Sequence, residues 1–349
     1  MDCSKAPSAS LRTVCMQLNG WEPESSESLC KFSDGKLNKQ AHECTVPGRG
    51  VMRKAYRKEY RVMSDEERER YHAALQETKK GGYFDSVAVS HAVMEIAERF
   101  ADAGGAHAGV AFLYWDSAMD SYLPTPANSI IWTDAFMGND QGPVTSGPFA
   151  GWTSYEKNRK LTRKVGADGA AFNETNIQEF MAFTDFHQVL APTAPHAELQ
   201  REIQGCPHMP TTRTETFVLF VGGDMHETNT SAYDPIFYSL HSFVDLLWEA
   251  WRLKRSTAAR TSRPPEMNPF HPWRNTDGLS NNYTDELYEY APRPACPSCS
   301  DSKYLFCLRS KFKCASKIRP GGNCQGLDPA DQPCYNSTCQ NGNQPCCET

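Results

Sequence analysis

Hydrophobic positions recur at helical spacing in four segments of this chain, and polar stretches separate them. In the first segment, Ser64 and Glu67 form the S-x-x-E pattern of a capping box, which predicts a helix starting near Asp65. In the second, residues 84–101 carry two apolar rows, and His91 lies in one of them. A single histidine in an apolar row is usually a core residue, so the periodicity alone predicts no ligand there.

The third segment predicts a helix that begins at Thr175, where Gln178 completes another capping box, and runs toward Leu190. Between the second and third helices, residues 117–170 are rich in proline, glycine and asparagine. That composition predicts a long ordered loop with little regular structure.

The fourth segment gives the strongest helical pattern. Asp234 is a good N-cap, Pro235 suits the first helical position, and the helix is expected to end near Lys254. Asp245 lies one turn beyond His241, so its carboxylate is expected near the His241 side chain. One face of this helix carries Phe237, His241, Val244 and Trp248.

Composition limits what the chain can be. With 349 residues, 39% of them hydrophobic and 11% aromatic, it can build one sizeable core and one or two small modules. The net charge of −6, without a single dominant basic block, indicates neither nucleic acid nor an anionic membrane as a partner. No run approaches the roughly 18 apolar residues of a membrane span.

The fourteen cysteines are distributed unevenly. Four lie within the first 44 residues, Cys206 stands alone, and nine fall between Cys296 and Cys347. This clustering predicts disulfide-stapled terminal modules, an oxidising compartment and therefore secretion. The first residues, MDCSKAPSASLRTV, lack the apolar segment of a signal peptide, so export requires an upstream start or an indirect route. N-glycosylation sequons, which point the same way, occur at Asn173, Asn229, Asn282 and Asn336.

The C-terminal cysteines allow two interpretations. The CPSC pair at 296–299, followed by Cys307 and Cys314, is compatible with a zinc ribbon. Nine cysteines without a histidine in a segment predicted to be secreted instead favour disulfides. Because nine is odd, Cys206 or a partner chain would supply the remaining thiol.

Several ordered segments carry a family resemblance. They are RKEYRVMSDEERERYHAAL at 57–75, GGAHAG at 104–109, YWDSAMDSYLPTP at 114–126, VGGDM at 221–225 and DPIFYSLHSFVD at 234–245. Together they resemble the tyrosinases, a type-3 copper family in which six histidines from a four-helix bundle hold two coppers. The resemblance covers roughly residues 51–290.

The resemblance implies a mainly α fold, with a tyrosinase-like di-copper four-helix-bundle domain that lacks one core helix. Long irregular loops and small disulfide-rich terminal segments complete it. Three parts are expected: a cysteine-containing segment at 1–48, the copper-binding-like domain at 49–290, and a Cys-rich disulfide module at 291–349.

By resemblance, three histidines match copper ligands. His241 follows DPIF at the family spacing and matches the third ligand of the second copper. His107, in the A-H-x-G context, matches the second ligand of the first copper, and His91 is the candidate for its first ligand.

The other three ligands are missing from the expected places. The first copper needs a W-H-R segment soon after His107, but residues 110–116 read VAFLYWD, as if a segment after Gly109 were absent. A change of histidine to Asp116 is the rival explanation, and the match of YWDSAMDSYLP to a later family motif argues against it. Thr214 and Val218 occupy the H-N-x-x-H positions of the second copper. Neither side chain can donate to copper. His226 and His208 are close in sequence, but no family pattern places them at the metal.

The resemblance therefore leaves three hypotheses. In the first, the chain belongs to a class of copper-dependent oxidoreductases that convert phenols and ortho-diphenols to ortho-quinones, but it is inactive as it stands. In the second, it is a secreted structural or binding protein that keeps the scaffold and contacts extracellular matrix, or itself, through the Cys-rich module. In the third, His91, His107 and His241 form a mononuclear metal site.

Overall fold

A computed structural model describes residues 54–89, 113–154, 159–184, 219–254, 284–285, 288–339 and 346, and the backbone of five further short strands. The regular structure is mainly helical, as predicted. Among the described residues, no helix is long and apolar enough to cross a membrane.

Helix α1, Asp65–Lys80, begins where its capping box predicts. The Ser64 hydroxyl accepts a hydrogen bond from the Glu67 amide at 3.2 Å, and the Glu67 carboxylate accepts one from the Ser64 amide at 2.9 Å. Three acidic residues in the first turn and two lysines in the last complement the helix dipole. The next predicted helix is described only over 83–89, which is helical.

Helix α2, Glu174–Ala182, corrects the prediction of a capping box at Thr175 and Gln178. Asn173 is the N-cap: its side-chain oxygen accepts from the Asn176 amide at 2.9 Å, and the Asn176 side chain accepts from the Asn173 amide at 3.1 Å. Asparagine is as strong a cap as any residue, so it starts the helix before Thr175 is reached. The helix ends at Ala182, and the predicted extension beyond residue 184 lies outside the described residues.

Two further helices follow, α3 at Thr228–Ser231 and α4 at Ile236–Leu253. Helix α4 matches the strongest predicted helix to within two residues at each end. The N-cap is Pro235 and not the predicted Asp234, and it has no capping side chain. The Asp234 carboxylate, one residue earlier, still accepts a hydrogen bond from the Ile236 amide at 3.2 Å.

The strands are short and pair in twos. Strand β5, Ala55–Arg57, pairs in parallel with β8, Tyr288–Tyr290, and this pair ties the two ends of the helical domain together. The other pairs are antiparallel. The strands are β1 Phe32–Ser33, β2 Lys36–Leu37, β3 Thr45–Val46, β4 Gly50–Val51, β5 Ala55–Arg57, β6 Gln141–Pro143, β7 Thr162–Lys164, β8 Tyr288–Tyr290, β9 Leu305–Leu308, β10 Lys313–Ser316, β11 Ser337–Thr338 and β12 Cys347–Glu348. Apart from β6, β7 and short 3₁₀ turns, the described part of 117–170 is the ordered loop that its composition predicts.

The described residues of the Cys-rich module contain four disulfides and no zinc ribbon. They join Cys296 to Cys307, Cys299 to Cys314, Cys324 to Cys339, and Cys334 to Cys346. The predicted preference for disulfides over zinc is therefore confirmed. Cys206, proposed as a partner for the odd cysteine, lies outside the described residues.

The module shares hydrophobic cores with the helical domain. Tyr304 belongs to the main core, Leu123 of the long loop packs among module residues, and Met119 packs against the Cys299–Cys314 disulfide. Backbone hydrogen bonds join the Ile130 amide to the Lys317 carbonyl at 2.9 Å, and link further residues across the same boundary. The module is thus packed as part of the domain.

Candidate functional site

His241 lies midway along α4, and its half-buried ring packs 4.1 Å from the ring centre of Phe237, one turn earlier. The opposite side of the helix is deeply buried. That side carries Ile236, Leu240, Phe243, Leu247 and Trp251. The helix therefore presents His241 from a rigid element whose other side is anchored in the core, which is how a metal ligand is usually held.

An ion pair anchors the start of α4. The guanidinium of Arg163, on β7, makes two hydrogen bonds to the Asp234 carboxylate, at 2.6 Å and 2.8 Å. Both side chains are fully buried. Such a planar, bidentate pair fixes both position and orientation of the helix N-terminus.

Loop and aromatic contacts fix the middle of α4. The Trp115 amide donates a hydrogen bond to the carbonyl of Ser239 at 3.0 Å. The Tyr114 ring stacks on Phe243 with centroids 6.2 Å apart. Tyr114 and Trp115 belong to the YWDS segment. This segment carries part of the family resemblance, and it also supports the helix that carries His241.

Asp245 has a different role from the one its spacing predicts. Its carboxylate accepts hydrogen bonds from the hydroxyls of Tyr288 at 2.9 Å and Tyr290 at 2.6 Å, and lies 3.4 Å from the Arg57 guanidinium. The Arg57 guanidinium carbon lies 3.2 Å from the centre of the Tyr288 ring. Asp245 is therefore tied to the β5–β8 pair and does not supply a second ligand beside His241.

Of the three predicted ligands His91, His107 and His241, the described part of the chain includes His241. His91, His107, Thr214, Val218 and His208 all lie outside the described residues. His226 is described: half of its side chain is exposed, and its Nδ1 lies 3.3 Å from the neighbouring Glu227 carboxylate. Its position at the surface agrees with its exclusion as a ligand.

Asp116 belongs to a buried network of charges. Its carboxylate binds Arg293 at 2.6 Å and accepts a hydrogen bond from the Ala118 amide at 3.2 Å. Nearby, the fully buried Arg61 pairs with Glu59 at 2.6 Å and with Asp120 at 2.9 Å. Burial raises the pKa of Glu59 and of Asp120, and the Arg61 charge offsets this only in part. Asp116 thus has structural partners of its own.

Asp224, in the VGGDM segment, is a buried hub that the sequence did not single out. Its carboxylate accepts hydrogen bonds from the Ser154 hydroxyl at 2.7 Å and from the Thr162 amide at 2.7 Å, and it pairs with Arg159. These partners are more than 60 residues away in sequence, so no local spacing announces them. The hub holds β7, and therefore Arg163, beside α4.

His72, on α1, is half-buried. The Tyr60 hydroxyl lies 2.5 Å from its Nε2. Burial, with a smaller contribution from the charge of Arg68, lowers the pKa of His72 from 6.5 to about 4. Burial also raises the pKa of Tyr60 well above its usual value, so the phenol donates and neutral His72 accepts.

We expect His72 to make the stability of the protein depend on pH. The unfolded chain binds a proton near pH 6.5 and the folded chain only near pH 4, so unfolding becomes more favourable as the pH falls between these values. Urea unfolding at several pH values should show this loss of stability, and His72→Gln should reduce it. An unchanged slope in the variant would contradict the assignment.

By the family resemblance, Thr214 and Val218 stand where the motif of the second copper has two histidines, and His241 is the candidate ligand that the described residues include. An imidazole suits either copper oxidation state. Within the described ranges, the groups of three potential metal-binding side chains are Cys296, Cys299 and Cys314, and Cys324, Cys334 and Cys339. All six are in disulfides.

Comparison with known proteins gives one family. The model for the common central domain of tyrosinase matches residues 84–254. The chain is 36% identical over 428 residues to the tyrosinase-like protein tyr-3 of Caenorhabditis elegans, an alignment that covers 98% of this chain and 59% of that protein. It is 29% identical to tyrosinase-like protein 1 of Margaritifera margaritifera, over 57% of this chain and 42% of the relative.

Bacterial and fungal proteins also match. A tyrosinase of Streptomyces glaucescens is 25% identical over 63% of this chain and 93% of the relative. A polyphenol oxidase of Thermothelomyces thermophila superposes with a TM-score of 0.41 at 17% identity, over 57% of this chain and 70% of that one. The chain spans about three fifths or less of the length of the first two relatives.

Proposed function

We propose that this chain, a member of the tyrosinase family, keeps the helical scaffold of these oxidoreductases but does not oxidise phenols as it stands. The observation that carries the proposal is the identity of two residues. Thr214 and Val218 occupy the positions at which the family motif supplies two histidines to the second copper, and neither side chain can replace an imidazole. Oxygen activation in this family requires both metals, so losing one site removes the chemistry.

The length of one alignment supports the loss of a segment near the first copper site. The alignment with the Caenorhabditis elegans relative is 428 residues long, yet this chain has only 349 residues. The relative therefore contains stretches that have no counterpart in this chain. A stretch lost after Gly109 is where the family motifs predict the W-H-R ligand and its helix.

The structural role of Asp116 also agrees with a deletion. Asp116 caps a 3₁₀ turn and binds Arg293, while its neighbours Tyr114 and Trp115 support α4. These contacts give Asp116 a structural role of its own. They give no reason to regard Asp116 as a replaced copper ligand.

The transcript that encodes this chain tests the deletion. Sequencing across Gly109 to Tyr114 should give a continuous junction if the loss is real. Recovery of an additional segment with W-H-R would instead mean that the parent protein is a phenol oxidase and that this sequence is an incomplete version of it.

An oxidation assay tests inactivity. Purified protein incubated with copper should convert neither a monophenol nor an ortho-diphenol to quinone, whereas the Streptomyces glaucescens tyrosinase, assayed alongside, provides the positive control. Substituting Thr214→His and Val218→His together should increase copper binding but leave oxidation undetectable, because the first site is still incomplete. Quinone formation by the unmodified chain would overturn the proposal.

Secretion remains part of the proposal, and one glycosylation sequon offers a test. Asn336 is exposed in a turn between Cys334 and Cys339, with a left-handed φ of 46° that asparagine tolerates. Expressed in a secretory host, the chain should lose mass on treatment with peptide-N-glycosidase, and Asn336→Gln should reduce that loss. An unchanged mass in both would argue against glycosylation at this site.

A further inference from the structure

The segment from Ser302 to Leu327 is basic in a protein that is acidic overall. It contains no aspartate or glutamate, although the whole chain has a net charge of −6. Its six basic residues are Lys303, Arg309, Lys311, Lys313, Lys317 and Arg319. Strands β9 and β10 form a hairpin within this segment, so the positive charge is concentrated on one small element.

The cations at the base of this hairpin hold the module on the domain. Lys303 pairs with Asp65 of α1 at 2.5 Å. Arg319 makes two hydrogen bonds to Asp140, at 2.9 Å and 3.0 Å. Both cations are paired with carboxylates of the domain.

The hairpin tip, residues 309–313, is different because every residue in it is exposed. Lys311 has no carboxylate partner among the described residues, and its ammonium lies 5.2 Å from the centre of the Tyr122 ring. Lys313 lies 3.7 Å from Glu174, a carboxylate that Arg293 already binds at 2.5 Å. Arg309 pairs with Asp331 but keeps 60% of its side chain exposed.

Phe312 lies between the two lysines of the tip and is 67% exposed. Its φ is 50°, in the left-handed region where a bulky side chain is unfavourable and glycine is preferred. An exposed aromatic side chain in a strained turn has no role in the protein core. A cost of this kind at a surface position points to a role in binding.

We propose that the hairpin tip, residues 309–313, binds a polyanionic glycan, such as a sulfated or carboxylated polysaccharide. Three cations within five residues form the short basic cluster that recognises such polymers. Four disulfides place the module in an oxidising compartment, where glycans rather than nucleic acids are the abundant polyanions. A single phenylalanine provides too little apolar surface to anchor the tip in a lipid bilayer.

Titration of the full-length protein with heparin at physiological salt, about 0.15 M, tests the proposal. The variant Lys311→Gln with Lys313→Gln should bind about fivefold to 25-fold more weakly, since each exposed charge contact contributes up to about fivefold. Binding should weaken further as salt is added. The matched control, Lys80→Gln with Lys160→Gln, changes the net charge equally at exposed positions far from the tip in sequence and should leave the affinity unchanged.

Three results would overturn the proposal. The first is absence of heparin binding by the unmodified protein. The second is equal loss of affinity in the tip variant and the control variant, which would indicate a general charge effect. The third is binding to phosphatidylserine vesicles without binding to heparin, abolished by Phe312→Ser, which would identify a membrane surface instead. None of these outcomes depends on whether the chain oxidises phenols.

Discussion

Replacing Asp234 by alanine is expected to lower the free energy of unfolding by about 3–5 kcal/mol, because it leaves the buried Arg163 guanidinium without its partner. The same change removes the side-chain acceptor of the Ile236 amide at the start of α4. Urea unfolding monitored by circular dichroism measures the effect. Since α4 carries His241, the variant should also bind added metal ions more weakly.

Two further variants separate the ion pair from a general loss of charge. Glu77→Ala breaks an ion pair with Lys80 in which both side chains are more than 70% exposed, and should change stability by less than about 1 kcal/mol. Arg163→Met combined with Asp234→Leu should recover much of the lost stability, because apolar residues of similar size remove the unpaired charge. If Asp234→Ala were as mild as Glu77→Ala, the proposed anchor of α4 would be wrong.

Replacing Tyr304 by alanine is expected to cost about 3–5 kcal/mol and to destabilise the helical domain together with the Cys-rich module. The Tyr304 ring packs against Phe136 at 4.8 Å, and its hydroxyl donates to Asp65 at 2.8 Å and accepts from Arg68 at 2.9 Å. Since these contacts cross the boundary between module and domain, both should unfold in one transition. Calorimetry of the variant and of the unmodified protein measures this.

Tyr304→Phe keeps the ring and removes only the hydroxyl, so it should cost about 1.5–3 kcal/mol, the range for hydrogen bonds to charged groups. Two separate unfolding transitions in the unmodified protein would show that the module is an independent unit. In that case the shared cores at Tyr304, Met119 and Leu123 would contribute little to stability.

Local signals in the sequence were sufficient for the helices but not for their supports. The Ser64 capping box depends on residues within one turn, and the structure confirms it. The N-cap of α4 is Pro235, one residue after the predicted Asp234. At α2 the same rule predicts Thr175, whereas the N-cap is the equally favourable Asn173, two residues earlier.

Long-range partners could not be predicted from spacing. Asp245 appeared to belong beside His241, yet two tyrosines more than 40 residues later bind its carboxylate. The pairing of Arg163 with Asp234 joins residues 71 positions apart. The net charge of −6 over the whole chain likewise does not indicate the basic hairpin, because acidic residues elsewhere outnumber its basic residues.

The candidate site was predicted one residue at a time by resemblance. His241 lies on a well-anchored helix, as expected of a ligand, whereas His91 and His107 lie outside the described residues. The proposal of inactivity depends on the identities of Thr214 and Val218, since neither side chain offers a nitrogen to copper.

The copper content of the protein tests whether this chain can hold the copper pair of the family. The full-length protein, reconstituted with excess copper and freed of loosely bound ions, is analysed for metal per chain by mass spectrometry, with His241→Ala as a comparison. We expect fewer than two coppers per chain and no coupled pair. Two tightly bound coppers per chain, lost in His241→Ala, would contradict it.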